Sequence, residues 1–134
     1  MALEFRSATT KEYQAIREFL RALGWDERVR DEARFQAMME NASRKVVAVD
    51  GGRIVGFARA LCDDASNGYI SMVAVAPDRR REGIGRGLIE RLTGGESGRG
   101  ITWVLRAGRE SAPFWERLGF SHSVIAMERM RSDS

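Results

Sequence analysis

Apolar and polar positions along this chain switch between a period of two and a period near 3.6, and each switch marks an element. Leu3 to Ser7 alternates as a short strand. Thr9 or Thr10 then offers an N-cap to a helix with Tyr13, Ile16, Phe19, Leu20 and Leu23 at helical spacing, and Gly24 ends it. After the short join Gly24-Trp25-Asp26-Glu27, a second amphipathic helix is predicted from about Val29 to Asn41. Lys45 to Asp50 and Arg53 to Cys62 are rich in Val, Ile and Phe and read as two strands of a hairpin turned by Asp50-Gly51-Gly52. The polar loop Asp63 to Gly68 leads into a third strand, Tyr69 to Ala76, closed by Pro77.

Helical spacing returns with Ile84, Leu88, Ile89 and Leu92, and Thr93-Gly94-Gly95 stops that helix. A flexible loop, Gly94 to Gly100, precedes a strand at Ile101 to Leu105. Pro113 sits near the first turn of a short helix ending at Leu118-Gly119, and Val124 to Met130 is predicted as a last strand before a fraying Arg131 to Ser134. The order β-α-α-β-β-β-α-β-α-β places an antiparallel meander before a strand, helix, strand crossover. That predicts an α/β (α+β) fold with a mixed, mostly antiparallel sheet.

Composition narrows the picture. The 134 residues, 43% of them hydrophobic, suit one domain spanning 1–134. A single cysteine, Cys62, excludes an intrachain disulfide and a thiolate-rich zinc site, and with one histidine, His122, no metal is expected. No apolar run approaches the ~20 residues of a membrane span, and no basic-then-apolar leader opens the chain; a soluble, cytoplasmic protein without a membrane partner is expected. The net charge of +3 arises from 22 basic and 19 acidic residues mixed along the chain, which argues against nucleic acid as a partner.

The candidate chemistry lies in Val73-Ala74-Val75-Ala76-Pro77-Asp78-Arg79-Arg80-Arg81-Glu82-Gly83-Ile84-Gly85-Arg86-Gly87-Leu88, where a strand passes through an Arg-rich turn into glycines that open a helix. A helix N-terminus presents unpaired N–H groups and a partial positive charge, and glycines let an anion come close. A P-loop would need Lys-Ser/Thr after its last glycine, and a dinucleotide fingerprint would need a glycine where Leu88 stands. Neither pattern is met.

The remaining pattern, Arg80-x-x-Gly83-x-Gly85 after a Val-Ala-Val strand, resembles the acyl-CoA signature of the GCN5-related N-acetyltransferase (GNAT) superfamily. Phe114-Trp115-Glu116-Arg117-Leu118-Gly119-Phe120 resembles that family's aromatic-Tyr-x-x-x-Gly-Phe segment, and the order of elements fits over nearly the whole chain. The resemblance implies that strands 69–76 and 101–106 splay apart and admit the pantetheine arm of acetyl-CoA beside Val73, Ala74 and Val75. It implies a diphosphate on the backbone of Arg81, Glu82, Gly83, Ile84, Gly85 and Arg86, with Arg80, Ser111 and Phe114 completing the cofactor site.

The implied reaction is attack of a neutral amine on the thioester carbonyl, with the Val73 backbone N–H as donor to the carbonyl oxygen. Trp115 stands where the family commonly has a tyrosine general acid, and an indole cannot fill that role. Tyr69, Ser71 and Tyr13 are candidate replacements, Tyr69 foremost. His122 and Cys62 are more simply structural. The acceptor is expected to be a small-molecule amine or an amino terminus, met by the acidic segments Trp25-Asp26-Glu27 and Asp63-Asp64, which suggest a cationic amine. Two other readings stay open: an acyl-CoA-binding module without catalysis, and a transferase acting on charged tRNA. The family often forms dimers, so a homodimer is a further expectation.

Overall fold

The computed structural model describes residues 3–95, 100–108 and 110–132. Five strands form one sheet in chain order: β1 (Leu3–Ser7), β2 (Arg44–Asp50), β3 (Arg53–Cys62), β4 (Asn67–Val75) and β5 (Thr102–Leu105). The first four pair antiparallel, and β4 pairs β5 parallel, as the meander-then-crossover order predicts. Three helices, α1 (Tyr13–Ala22), α2 (Asp26–Val29) and α3 (Glu32–Asn41), separate β1 from β2; α4 (Ile84–Thr93) joins β4 to β5, and α5 (Ala112–Arg117) follows.

Period-two alternation divides the core between the two faces of the sheet. Val46, Ala48, Val55 and Ala58 face α4, where they bury Ile84, Leu88 and Leu92. Val47, Val49, Phe57 and Met72 face the other way, onto Ile16 and Leu20 of α1, Val29 of α2, and Phe35 and Met39 of α3. Where backbones come closest the chain uses glycine: a Cβ on Gly68 would lie 2.3 Å from the Trp103 ring, and one on Gly87 would lie 2.4 Å from the Phe5 ring.

The structure departs from the pattern-based expectation in two places. The helix predicted over Val29 to Asn41 is α3, which begins only at Glu32, and the short helix α2 occupies the predicted join before it. The Arg17 guanidinium, buried on α1, donates to the carbonyls of Val29 and Arg30, both at 2.7 Å, and so withdraws them from a helical ladder. Asp31 then takes extended backbone, and its carboxylate accepts from the Arg34 N–H at 3.0 Å as a fresh N-cap. The strand predicted at Val124 to Met130 does not form; Val124 and Met127 are 99% and 97% exposed. Its composition suits a strand, yet the segment pairs with no strand among the described residues, and composition alone does not hold a strand in water. The expected flexible loop Gly94 to Gly100 falls largely on residues 96–99, and the end of the fraying tail on 133–134, outside the described residues.

Candidate active site

The parallel pairing of β4 with β5 covers only Asn67 to Ile70 against Thr102 to Leu105, whereas β4 continues to Val75. Beyond Ile70 the outer edge of β4 is therefore unpaired, and a gap opens between it and the segment after β5. The Ala76 N–H donates to the Val55 carbonyl of β3 at 2.8 Å. Successive N–H groups of a strand point to opposite edges, so those of Val75 and Val73 face the gap. A register shift beside Arg59 and Ala60 bulges this part of the sheet near Ser71.

The Arg-rich turn caps one end of the gap. Arg79 anchors it by pairing with Asp50 at 3.0 Å and Glu82 at 2.8 Å, and Asp78 is held by Arg53. Arg81 and Gly83 both take left-handed backbone, at φ +69° and +82°, before α4 begins at Ile84. Left-handed backbone beside a helix N-terminus, whose first N–H groups lack intrahelical partners, is a setting suited to an anion. A Cβ on Gly83 would meet no atom within 4 Å, and one on Gly85 would lie 3.0 Å from the Phe114 ring. Among the described residues Arg80, Arg81 and Arg86 form no ion pair, and all three line a cavity of about 640 Å³ with Val73, Gly85 and Phe114. The side chains of Glu82 and Ile84 are occupied elsewhere, the first on Arg79 and the second in the core. Ala74 contributes mainly backbone, since its side chain packs into the core.

A second cavity of about 660 Å³, lined by Trp25, Arg28, Tyr69, Ser71, Arg106 and Glu128, adjoins the first. Trp25, Val73, Ser111 and Trp115 line both. Ser111 immediately precedes α5, and its hydroxyl, rather than capping the helix, donates to the Gly108 carbonyl at 3.0 Å. Trp115 is buried between Phe114 and Phe120, edge-on to each, with ring centroids 5.0 and 5.3 Å apart.

Of the acidic residues predicted to meet an acceptor, none lines either cavity. Asp26 pairs with Arg21, Glu27 with Arg30, and Asp64 with Arg44. Asp63 accepts the backbone N–H groups of Ala65, Ser66 and Asn67 and the Ser66 hydroxyl. Those bonds hold its carboxyl well below the ordinary carboxylate range, the Ser66 N–H contributing most. An NMR titration is expected to find Asp63 still ionised where ordinary aspartates, with pKa about 3.9, are half protonated. Because the folded pKa is depressed, its contribution to stability is present above the unfolded value and is lost as pH falls through the folded one. An Asp63 titrating with the other aspartates would contradict this loop geometry.

Tyr13 is buried at the start of α1, His122 lies exposed in the C-terminal segment, and the Cys62 sulfur accepts from the Asp64 N–H at 3.3 Å. The pattern-based reading passed over Arg28, Arg59 and Arg106. Arg59 carried a signal, because it is the one charged residue inside the otherwise apolar run Ile54 to Cys62. The described residues contain no cluster of metal-ligating side chains, and no helix among them is long and apolar enough to cross a membrane.

The model of the acetyltransferase (GNAT) domain family matches residues 41–122, which include β2 to β5, the Arg-rich turn and α5. The chain is 29% identical over 130 residues to serotonin N-acetyltransferase 2, chloroplastic, of Oryza sativa subsp. japonica; the match covers 93% of this chain and 64% of that longer protein. A Trypanosoma brucei acetyltransferase superimposes with a TM-score of 0.73 at 26% identity, over 99% of this chain and 100% of the other. A predicted acetyltransferase of Clostridium acetobutylicum, solved with acetyl-CoA, superimposes with a TM-score of 0.75 at 19% identity, over 96% of each chain. With the family model covering more than half its length, and the splayed β4 and β5 and the glycine turn within that span, this chain belongs to the GNAT acetyltransferase family.

Proposed function

We propose that the protein transfers an acetyl group from acetyl-CoA to the nitrogen of a small amine by direct attack. The observation that carries this reading is the junction of the two cavities, where the unpaired edge of β4 at Val73 meets Trp25, Ser111 and Trp115. One cavity suits the donor and the other the acceptor, and the reacting groups would meet at the shared wall.

The donor side fits its ligand. The left-handed turn at Arg81 and Gly83 has open space beside the Gly83 Cα, and Arg80, Arg81 and Arg86, unpaired among the described residues, can neutralise a diphosphate. The N–H groups of Val73 and Val75 are available to the amides of a pantetheine arm, and that of Val73 to a carbonyl oxygen gaining charge. Bound acetyl-CoA supplies an acyl group already activated as a thioester.

On the acceptor side, Tyr69 and Ser71 present hydroxyls to the cavity. Tyr69 is the candidate to take up or return a proton, because Trp115 has only a non-titrating N–H. Trp115 and Phe114 exclude water from the junction instead.

Thiol release from acetyl-CoA, followed over a panel of amines, amino acids and amino-terminal peptides, tests the reading. Free thiol is expected to appear only with an acceptor present and in proportion to N-acetylated product by mass spectrometry. Tight binding of acetyl-CoA with no thiol released for any amine would overturn it in favour of a non-catalytic binding module.

A further inference from the structure

The second cavity stands beside a buried cation that has no counter-ion among the described residues. Arg59 projects from β3 and is 7% exposed, yet among the described residues it forms no ion pair, and its Nε–H has no acceptor there. Its one side-chain hydrogen bond runs from a terminal nitrogen to the Ser71 hydroxyl at 2.6 Å, and Ser71 lines the cavity. A buried guanidinium is normally matched by a carboxylate, because an unmatched one is strongly disfavoured. Here its charged neighbours have the same sign.

Arg28 reaches the cavity from α2, stacked over Trp25 at 5.3 Å, and Arg106 reaches it from the end of β5. Burial, reinforced by the charge of Arg28, pushes Arg59 below its ordinary value, with Tyr69 opposing. Desolvation does the same to Arg28, where Tyr69 opposes and the charges of Arg106 and Arg131 add to the effect. The facing acid is Glu128, whose carboxylate lies 2.8 Å from Arg106 and so is already shared. The acidic residues that suggested a cationic acceptor are neutralised outside the cavity, as described above. Two arginines thus line the cavity and a third stands behind its Ser71 wall, with Glu128 the one carboxylate among the lining residues.

We propose that the acceptor is a small amine carrying an oxyanion, a carboxylate or phosphate, that docks among Arg28, Arg106 and the Ser71–Arg59 pair and supplies the missing counter-ion. This specifies the acceptor class within the acetyltransferase reading and rests on it. The amine end then points toward Val73 and Trp115, at the wall shared with the donor cavity. Ser71, accepting from Arg59, still has its own hydroxyl proton to donate to the anion, so the buried charge is felt through one polar contact.

The test compares matched acceptors that differ only in the charged end: glycine and glycinamide, β-alanine and β-alaninamide, phosphoethanolamine and ethanolamine, with ethylenediamine as the cationic case. The anionic member of each pair is expected to show kcat/KM at least about tenfold higher, the size of one charge-assisted hydrogen bond. The carboxylate and phosphate arms separate the two oxyanions. In Arg28→Gln and in Ser71→Ala the advantage is expected to shrink severalfold, carried by KM. Neither change empties the core, whereas Arg59→Met risks the fold.

A calorimetric titration of N-acetylglycine against N-acetylglycinamide reads the same preference without turnover. If no amine releases thiol but the carboxylate still binds more tightly, the catalytic reading fails and the anion site stands. Equal binding and use of the charged and uncharged members, or preference for ethylenediamine, would overturn the proposal.

Discussion

Replacing Trp115 with alanine is expected to lower the free energy of unfolding by about 3–5 kcal/mol, read from a denaturant titration followed by circular dichroism. The ring is 8% exposed, packs edge-on to Phe114 and Phe120 and belongs to the core cluster on the α4 side of the sheet, so truncation leaves a void there. Phe114 also forms the contact wall for Gly85, and its loosening is expected to weaken donor binding as well. Trp115→Phe retains an aromatic ring and should cost roughly half as much. A loss below about 1 kcal/mol for the alanine variant would mean that the ring is not part of the core. The residue whose position first suggested catalysis thus has a packing role visible in the structure. Trp115→Tyr then becomes an informative variant: it keeps most of the ring and offers a titratable hydroxyl at the junction of the two cavities.

What the residue pattern revealed, and what it hid, follows from the range of the forces involved. The meander, the crossover and the glycine turn were legible because they rest on local signals: the apolar, β-branched run in Arg53 to Cys62, the Gly51-Gly52 hairpin turn, and helical spacing from Ile84 to Leu92. The break between α2 and α3 was not, because it depends on Arg17 reaching the carbonyls of residues 12 and 13 positions away. The expected last strand failed for a related reason. Val124, Ile125 and Met127 have strand composition, but a strand also needs a partner edge and a face to bury, and in this chain those residues are exposed.

The candidate site divides along the same line. The donor groove is built from contiguous residues, so Arg80, Gly83 and Gly85 could be read from one motif. The acceptor cavity draws Arg28 from α2, Ser71 from β4 with Arg59 of β3 behind it, and Arg106 from the end of β5. No spacing rule joins such residues. Acidic residues close in sequence, Asp26-Glu27 and Asp63-Asp64, therefore suggested a cationic acceptor, while the folded chain spends each of them on a local partner.

Gly83→Val is expected to weaken CoA binding roughly 30- to 100-fold, equivalent to about 2–3 kcal/mol, while lowering stability by only about 1–2 kcal/mol. The asymmetry follows from where the substitution acts. At φ +82° an L side chain is strained, a β-branched one most of all, yet a Cβ there meets no atom within 4 Å. The fold can therefore relax by moving the turn, and moving the turn turns its N–H groups away from the groove. Gly87→Ala provides the opposite profile. Its Cβ would stand 2.4 Å from the Phe5 ring, inside the packing of α4 on β1, so stability should fall by about 1–3 kcal/mol, with CoA affinity retained in the folded molecules. Calorimetric titration with CoA, beside denaturant curves for both variants, separates the two effects. Unchanged CoA affinity in Gly83→Val would remove the turn from the donor site, because no other segment combines left-handed backbone, open space and the free guanidinium groups of Arg80, Arg81 and Arg86 among the described residues.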